Sequence, residues 1–211
     1  NNFGDVLMET LIILDNELDK ASELLLKNEV VAFPTETVYG LGVVCDSYEA
    51  FKKLVAAKNR PSDKPFTLMC SDVKQIENVA ILNDKIKKII NHFMPGEITL
   101  LLKAKDDVNS WVDLNTKKIG VRIPNFPLAL KLIKKVGKPL LVPSANPSGL
   151  PPALDFKQTY DYFNGTIAGI VNAKSGAQKP STIIDLSSDE PVLIRQGNIT
   201  LEDVMKVWRN E

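Results

Sequence analysis

The chain has 211 residues, 44% of them hydrophobic and 25% charged, the proportions of a soluble globular protein that buries its core in a single domain spanning 1–211. No apolar run approaches the ~20 residues of a membrane helix, so no spanning helix is expected, and the first residues lack a basic leader followed by a cleavage site. The 26 basic and 26 acidic groups cancel, which argues against a protein that coats nucleic acid through bulk positive charge.

That balance hides an uneven distribution. Residues 1–51 carry 2 basic and 10 acidic side chains, residues 52–138 carry 18 and 8, and residues 139–211 carry 6 and 8. A basic middle inside a neutral chain points to an anionic ligand, although some of it is lysine on solvated helix faces, such as Lys85, Lys87 and Lys88. Met8 reads as the native start, with residues 1–7 an extension ahead of it.

In chain order, Leu18, Ala21, Leu24 and Leu25 recur at helical spacing, and residues 29–33 follow as a strand rich in β-branched side chains. Residues 38–44 predict a second strand. Residues 48–58 predict an amphipathic helix with Phe51, Leu54 and Val55 on one side. Short strands are then expected at 66–70, 98–103, 119–123, 139–143, 166–171, 181–186 and 191–195, with helices at 85–93, 127–136 and 201–208. The last helix has Thr200 as its N-cap and Glu202 and Asp203 in its first turn. Several strands follow one another without a helix between them. The expected fold is therefore α/β with an open, twisted, mixed sheet and packed helices, not a parallel βαβ series. The Pro-rich stretch 143–153 is too short for an interdomain linker and reads as a functional loop.

Familiar catalytic motifs fail. No GxxxxGK[ST] is present, and the GxG of Gly40 and Gly42 has Cys45 where a third glycine belongs. Ser71 and Lys74 form an SxxK without its companion motifs. His92 is the sole histidine and sits on a helical pattern, which makes a Ser-His-Asp hydrolase improbable. Cys45 and Cys70 each close an apolar run, with no CxxC and no histidine cluster. They read as buried thiols in a reduced, cytoplasmic setting, and no metal site is expected.

What remains is a set of polar residues at strand ends. Pro34-Thr35-Glu36-Thr37 places hydroxyls and a carboxylate between two strands. Lys58, Arg60 and Lys64 lie where Pro61 and Pro65 enforce an extended chain, and Arg122 precedes Ile123-Pro124. Ser144, Asn146 and Ser148 occupy the Pro-rich loop, Ser181 and Thr182 follow Pro180, and Arg195 ends a strand. Cations and short hydroxyls on rigid loops suit phosphate and carboxylate binding without a helical phosphate loop.

Seven blocks in order carry a resemblance: PTETVYGLG (34–42), KNRPSDKP (58–65), PGEITLLL (95–102), IGVRIPNFPLA (119–129), PLLVPSANPSG (139–149), PSTIIDL (180–186) and VLIRQG (192–197). Together they resemble the YrdC-like domain of the threonylcarbamoyl-AMP synthases, in a short form without the extra C-terminal domain of longer members. The resemblance implies a concave basic cavity and a reaction of L-threonine, bicarbonate and ATP, with Mg²⁺, to give threonylcarbamoyl-AMP and pyrophosphate for tRNA modification. It implies that Thr37, Arg122 and Ser181 contact threonine. It implies that Lys58, Arg60, Lys64, Ser144, Asn146 and Arg195 contact the nucleotide, with Lys58 and Arg60 also acting in catalysis. The product would pass to separate tRNA-modifying transferase proteins.

The sequence departs from the family pattern at Met69, where longer members often carry histidine, and at Lys64, Lys118 and Pro152. KPFTLMCSD and GAQKPSTIIDL are similar to a sister branch, whereas PSAN is similar to the synthases. Two other readings stay open: an RNA-binding module of the same fold without catalysis, and a carbamoyl-adenylate enzyme with another acceptor. Aromatics are only 7% of the chain and form no evident stacking platform, so RNA binding is expected to be weak and salt-sensitive.

Overall fold

Valine, isoleucine and leucine runs become central strands here because both their faces are covered. The computed structural model describes residues 8–59, 63–176 and 179–210. Its strands are β1 (Leu11–Leu14), β2 (Val31–Phe33), β3 (Gly40–Val44), β4 (Leu68–Met69), β5 (Ile98–Lys103), β6 (Lys118–Arg122), β7 (Leu140–Leu141), β8 (Gly169–Asn172), β9 (Thr182–Asp185) and β10 (Val192–Arg195). They form one mixed sheet in the order β1-β8-β2-β3-β7-β4-β6-β5-β9-β10. Parallel pairs (β1 with β8, β8 with β2, β4 with β6, β5 with β9) are mixed with antiparallel ones such as β2 with β3 and β5 with β6. Every residue of β2 and β3 is buried, the pattern of strands covered on both faces.

The helices are α1 (Leu18–Leu26), α2 (Tyr48–Ala57), α3 (Val73–Glu77), α4 (Asp84–Phe93), α5 (Ser110–Asp113), α6 (Pro127–Val136), α7 (Phe156–Phe163) and α8 (Leu201–Trp208). None is long and apolar enough to cross a membrane. α6 buries Ala129, Leu132, Ile133 and Val136, one face at helical spacing, and packs on α1. Pro127 at its first turn needs no amide donor there. α4 buries Ile86, Ile89 and Ile90 and packs on α8, where Thr200 and Asp203 complete a capping box.

The expected mixed sheet is present, with local corrections. β4 and β7 are two residues long instead of five; beside β7, Pro139 and Pro143 lack the amide that would extend the ladder. β1, α3, α5 and α7 carry no clear periodic signal and are found only in the structure. β1 lies at the sheet edge and buries only Ile13, so its apolar residues do not alternate with polar ones. Cys70 is buried as expected, whereas Cys45 is only partly so; both thiols are free. The extension at residues 1–7 lies outside the described residues.

Leu132 has no exposed surface. Leu132→Ala should therefore destabilise the protein by about 2–5 kcal/mol, whereas Thr200→Ala should cost only about 1 kcal/mol through the lost cap. Urea denaturation of both variants checks the ranking.

Candidate functional site

The strand ends where β2 turns into β3 and where β6, β7 and β9 meet their loops surround a cleft of about 220 Å³. Thr37, Met69, Arg122, Ser144, Ser181 and Arg195 all line it. Thr37 and Arg195, 158 positions apart in the chain, thus face one space, which no local pattern could reveal.

The turn after β2 does not continue the ladder because its polar side chains satisfy it locally. Thr35 Oγ1 donates to the Val38 carbonyl at 2.7 Å and accepts from the Thr37 amide at 3.2 Å. The Thr35 and Thr37 hydroxyls lie 3.0 Å apart, and Thr37 is fully buried. Tyr39 anchors the start of β3. Its hydroxyl lies 2.8 Å from the Val171 carbonyl and 2.7 Å from that of Ala173, and accepts from the Ala173 amide at 3.3 Å. Burial pushes this phenol up to about 12. At Gly40 the chain comes so close to the Pro-rich loop that a Cβ would stand 2.4 Å from Val142 Cγ1. Only glycine permits this approach, which brings Ser144 into a β-bridge with Gly40.

Arg122 ends β6 beside Met69, its register partner on β4. Its Nη1 donates to Thr37 Oγ1 at 3.1 Å, and its Nη2 is ion-paired with Glu36. The second carboxylate oxygen of Glu36 accepts from the Asn125 amide. Burial lowers the guanidinium's proton affinity and the Glu36 carboxylate restores part of it. Arg122 Nε is buried without a hydrogen-bond partner among the described residues. An unpaired buried donor is costly unless a ligand completes it.

Ser181 is buried, and its hydroxyl lies 2.8 Å from Thr99 Oγ1. Arg195 reaches in from the exposed edge strand and donates to the Ser181 carbonyl through Nε at 3.0 Å and Nη2 at 2.9 Å. Burial and the nearby Arg122 both lower its proton affinity. Two guanidiniums that repel each other across a cleft favour an anion between them.

Lys58 caps the C-terminus of α2 and points into the Pro-rich loop. Its ammonium donates to the Ser144 carbonyl at 2.9 Å and to Asn146 Oδ1 at 3.2 Å. Ser144 Oγ donates to the same Asn146 oxygen at 2.6 Å, and Asn146 Nδ2 donates to the Leu150 carbonyl at 2.9 Å. The PSAN segment and Lys58 thus form one polar network in the structure.

Of the predicted site residues, Thr37, Arg122, Ser181, Ser144 and Arg195 line the cleft, and Lys58 and Asn146 bond directly to its wall. Lys64 is exposed on the bend at 63–64, and Arg60 lies outside the described residues. Pro152 lines the cleft, but Lys118 pairs with Asp185 at 3.2 Å on the surface. Thr99 and the pairing of Glu36 with Arg122 were missed. A hydroxyl at an inward position of the apolar run 98–102 was the available signal for Thr99.

A family model described as "Telomere recombination" (Sua5, YciO and YrdC) matches residues 23–197. A threonylcarbamoyl-AMP synthase of Bacillus subtilis is 41% identical over 92% of this chain and 57% of its own length. One of Vibrio parahaemolyticus is 32% identical over 87% of this chain and 100% of its own length. The Pyrococcus abyssi Sua5 structure complexed with L-threonine superposes with a TM-score of 0.89 at 33% identity, covering 94% of this chain and 61% of that one. The chain therefore spans little more than half the length of the longer relatives.

Tyr39→Phe should lose about 1–3 kcal/mol, because the Ala173 amide and its neighbouring carbonyls lose their shared partner. Between pH 10 and about 12 the unfolded chain sheds this phenol proton while the folded protein keeps it. That share of the stability is complete below pH 10 and falls as pH rises through the window. Denaturant titrations at rising pH should show the gap between wild type and Tyr39→Phe narrowing.

Proposed function

The chain belongs to the Sua5, YciO and YrdC family, and from that premise we propose that it is a threonylcarbamoyl-AMP synthase. It would join L-threonine, bicarbonate and ATP into threonylcarbamoyl-AMP and pyrophosphate, and hand this adenylate in the cytoplasm to the transferase proteins that modify tRNA. The observation that carries the reading is the cleft around Arg122. A buried guanidinium with an unpaired Nε donor stands beside the hydroxyls of Thr37 and, across the cleft, Ser181. A carboxylate fits the cation, and the hydroxyls fit a substrate hydroxyl or carbamate. The relatives bearing this enzyme's name and the Sua5 structure with bound L-threonine support the same assignment.

In the proposed step the carbamate oxygen of N-carboxylated threonine attacks the α-phosphorus. The bond from that phosphorus to its bridging oxygen breaks, and pyrophosphate carries away the electron pair. Such a transfer asks the protein for alignment and positive charge more than for covalent chemistry. Lys58, Arg60 and Arg195 would supply the charge, and the Ser144–Asn146 loop would seat the nucleotide. Lys64, exposed in this structure, would have to meet the polyphosphate from outside the cleft. Among the described residues no three carboxylate, histidine or cysteine side chains converge on a metal position. Magnesium carried on the triphosphate would offset its charge.

Met69 is buried against Arg122 and turns a thioether toward the cleft. It would form an apolar wall for the threonine methyl, so choice over serine should persist. L-Threonine should be preferred modestly to L-serine and more sharply to 2-aminobutyrate, which leaves the hydroxyl partners unpaired.

Pyrophosphate release should require L-threonine, bicarbonate and Mg-ATP together, each omitted in turn, with mass analysis identifying the adenylate. A threonine-independent product would transfer the assignment to another acceptor. Tight RNA binding in moderate salt with no pyrophosphate release would transfer it to an RNA-binding module. Arg60→Ala and Arg195→Ala should each weaken ATP use by roughly 1.5–3 kcal/mol while the fold survives. Unchanged ATP affinity in both would refute this placement of the nucleotide.

A further inference from the structure

Arg122 is gripped from two sides. Thr37 meets its Nη1 within the cleft, whereas Glu36, the residue before it, takes Nη2. Thr37 and Arg122 line the cleft and Glu36 does not, so the carboxylate acts from behind the guanidinium. Both Glu36 oxygens are engaged, one by the cation and one by the Asn125 amide on the loop after β6. The Glu36 backbone is also held. Gly176 donates from its amide to the Thr35 carbonyl at 2.9 Å and lies so close that a Cβ would stand 1.8 Å from the Glu36 carbonyl oxygen. Any other residue at 176 would push the turn, and with it the carboxylate, away from Arg122.

We infer that Glu36 is the positioning residue for Arg122, fixing the guanidinium plane so that its remaining donors serve the substrate carboxylate. The inference rests on the proposed reading of the cleft as an amino-acid site. A long arginine side chain has many rotamers, and a carboxylate clamped at both oxygens removes most of them before the ligand arrives. The same clamp ties the β2–β3 turn to the loop after β6, so the two walls of the cleft keep their separation. Glu36 thereby lowers the cost of binding the amino acid without touching it.

Glu36→Gln is the test variant, because it keeps the volume and one acceptor oxygen but cannot serve both Arg122 and Asn125. The KM for L-threonine should rise about tenfold or more and the KM for ATP should stay nearly unchanged, while the thermal midpoint falls because the buried guanidinium loses its counter-charge. Glu36→Asp, which restores the charge on a shorter stem, should recover part of the loss. Equal threonine KM in wild type and Glu36→Gln would overturn the inference. So would a parallel rise in both KM values, the mark of a purely structural role. Tighter threonine binding by Glu36→Gln would also overturn it, since the carboxylate would then be a competitor. A ligand-free arm separates this inference from the substrate assignment. The guanidinium NMR signals of Arg122, assigned by their loss in Arg122→Lys, should show hindered rotation in wild type and free rotation in Glu36→Gln. Should wild type fail to bind threonine while that contrast holds, the positioning role stands and the substrate assignment falls. Identical rotation in the two proteins would overturn the positioning role.

Discussion

Burying the guanidinium of Arg122 is the constraint on which the rest of the cleft depends. A cation taken out of water costs several kcal/mol unless charge and hydrogen bonds replace its hydration. Glu36 and Thr37 replace part of it from one turn, and Nε has no partner among the described residues, a donor that the proposed ligand would complete. This explains why the β2–β3 connection is a polar, rigid turn whose hydroxyls bond to its own backbone. It also explains why Met69, apolar and buried, can sit beside a charge: the charge is satisfied elsewhere.

The mixed sheet supplies the geometry that this constraint needs. β6 runs parallel to β4 and antiparallel to β5, and β5 runs parallel to β9. That arrangement delivers Arg122, Thr99 and Ser181 to one cleft. On the proposed reading no helix N-terminus has to provide the anion site, since the guanidiniums and hydroxyls lining the cleft could do so. Arg195, on the sheet's edge strand, is the exposed counterpart. It is tied to the Ser181 carbonyl, yet free of the core packing that fixes Arg122.

A second network stands apart from the first. Lys58 leaves the end of α2 and inserts its ammonium into the Pro-rich loop, where Ser144 and Asn146 converge on it. Proline restricts that loop's backbone, and the buried ammonium fixes its register, so few degrees of freedom remain to be lost on binding. The two networks meet at the Gly40–Ser144 bridge, where the absence of a Cβ on Gly40 leaves room for the Val142 side chain.

Much of this was legible in the order of residues. Thr200 caps a helix, Pro127 opens one, and the β-branched runs become strands, because such signals are local and act within a few residues. Thr37, Lys58, Arg122, Ser144, Asn146, Ser181 and Arg195 could be chosen as site residues because polar groups on rigid loops rarely stand at strand ends without a use. The lengths of β4 and β7, the edge strand β1 and the short helices α3, α5 and α7 were not legible, since their stability comes from tertiary packing more than from propensity. Nor was the division of labour among the charges. Lys64 and Arg122 look alike in the chain, yet one is exposed and the other buried against Glu36. Local chemistry set which residues could bind an anion; only the strand order, which brings distant loops together, decided which of them share a cleft and which carboxylate stands behind the cation.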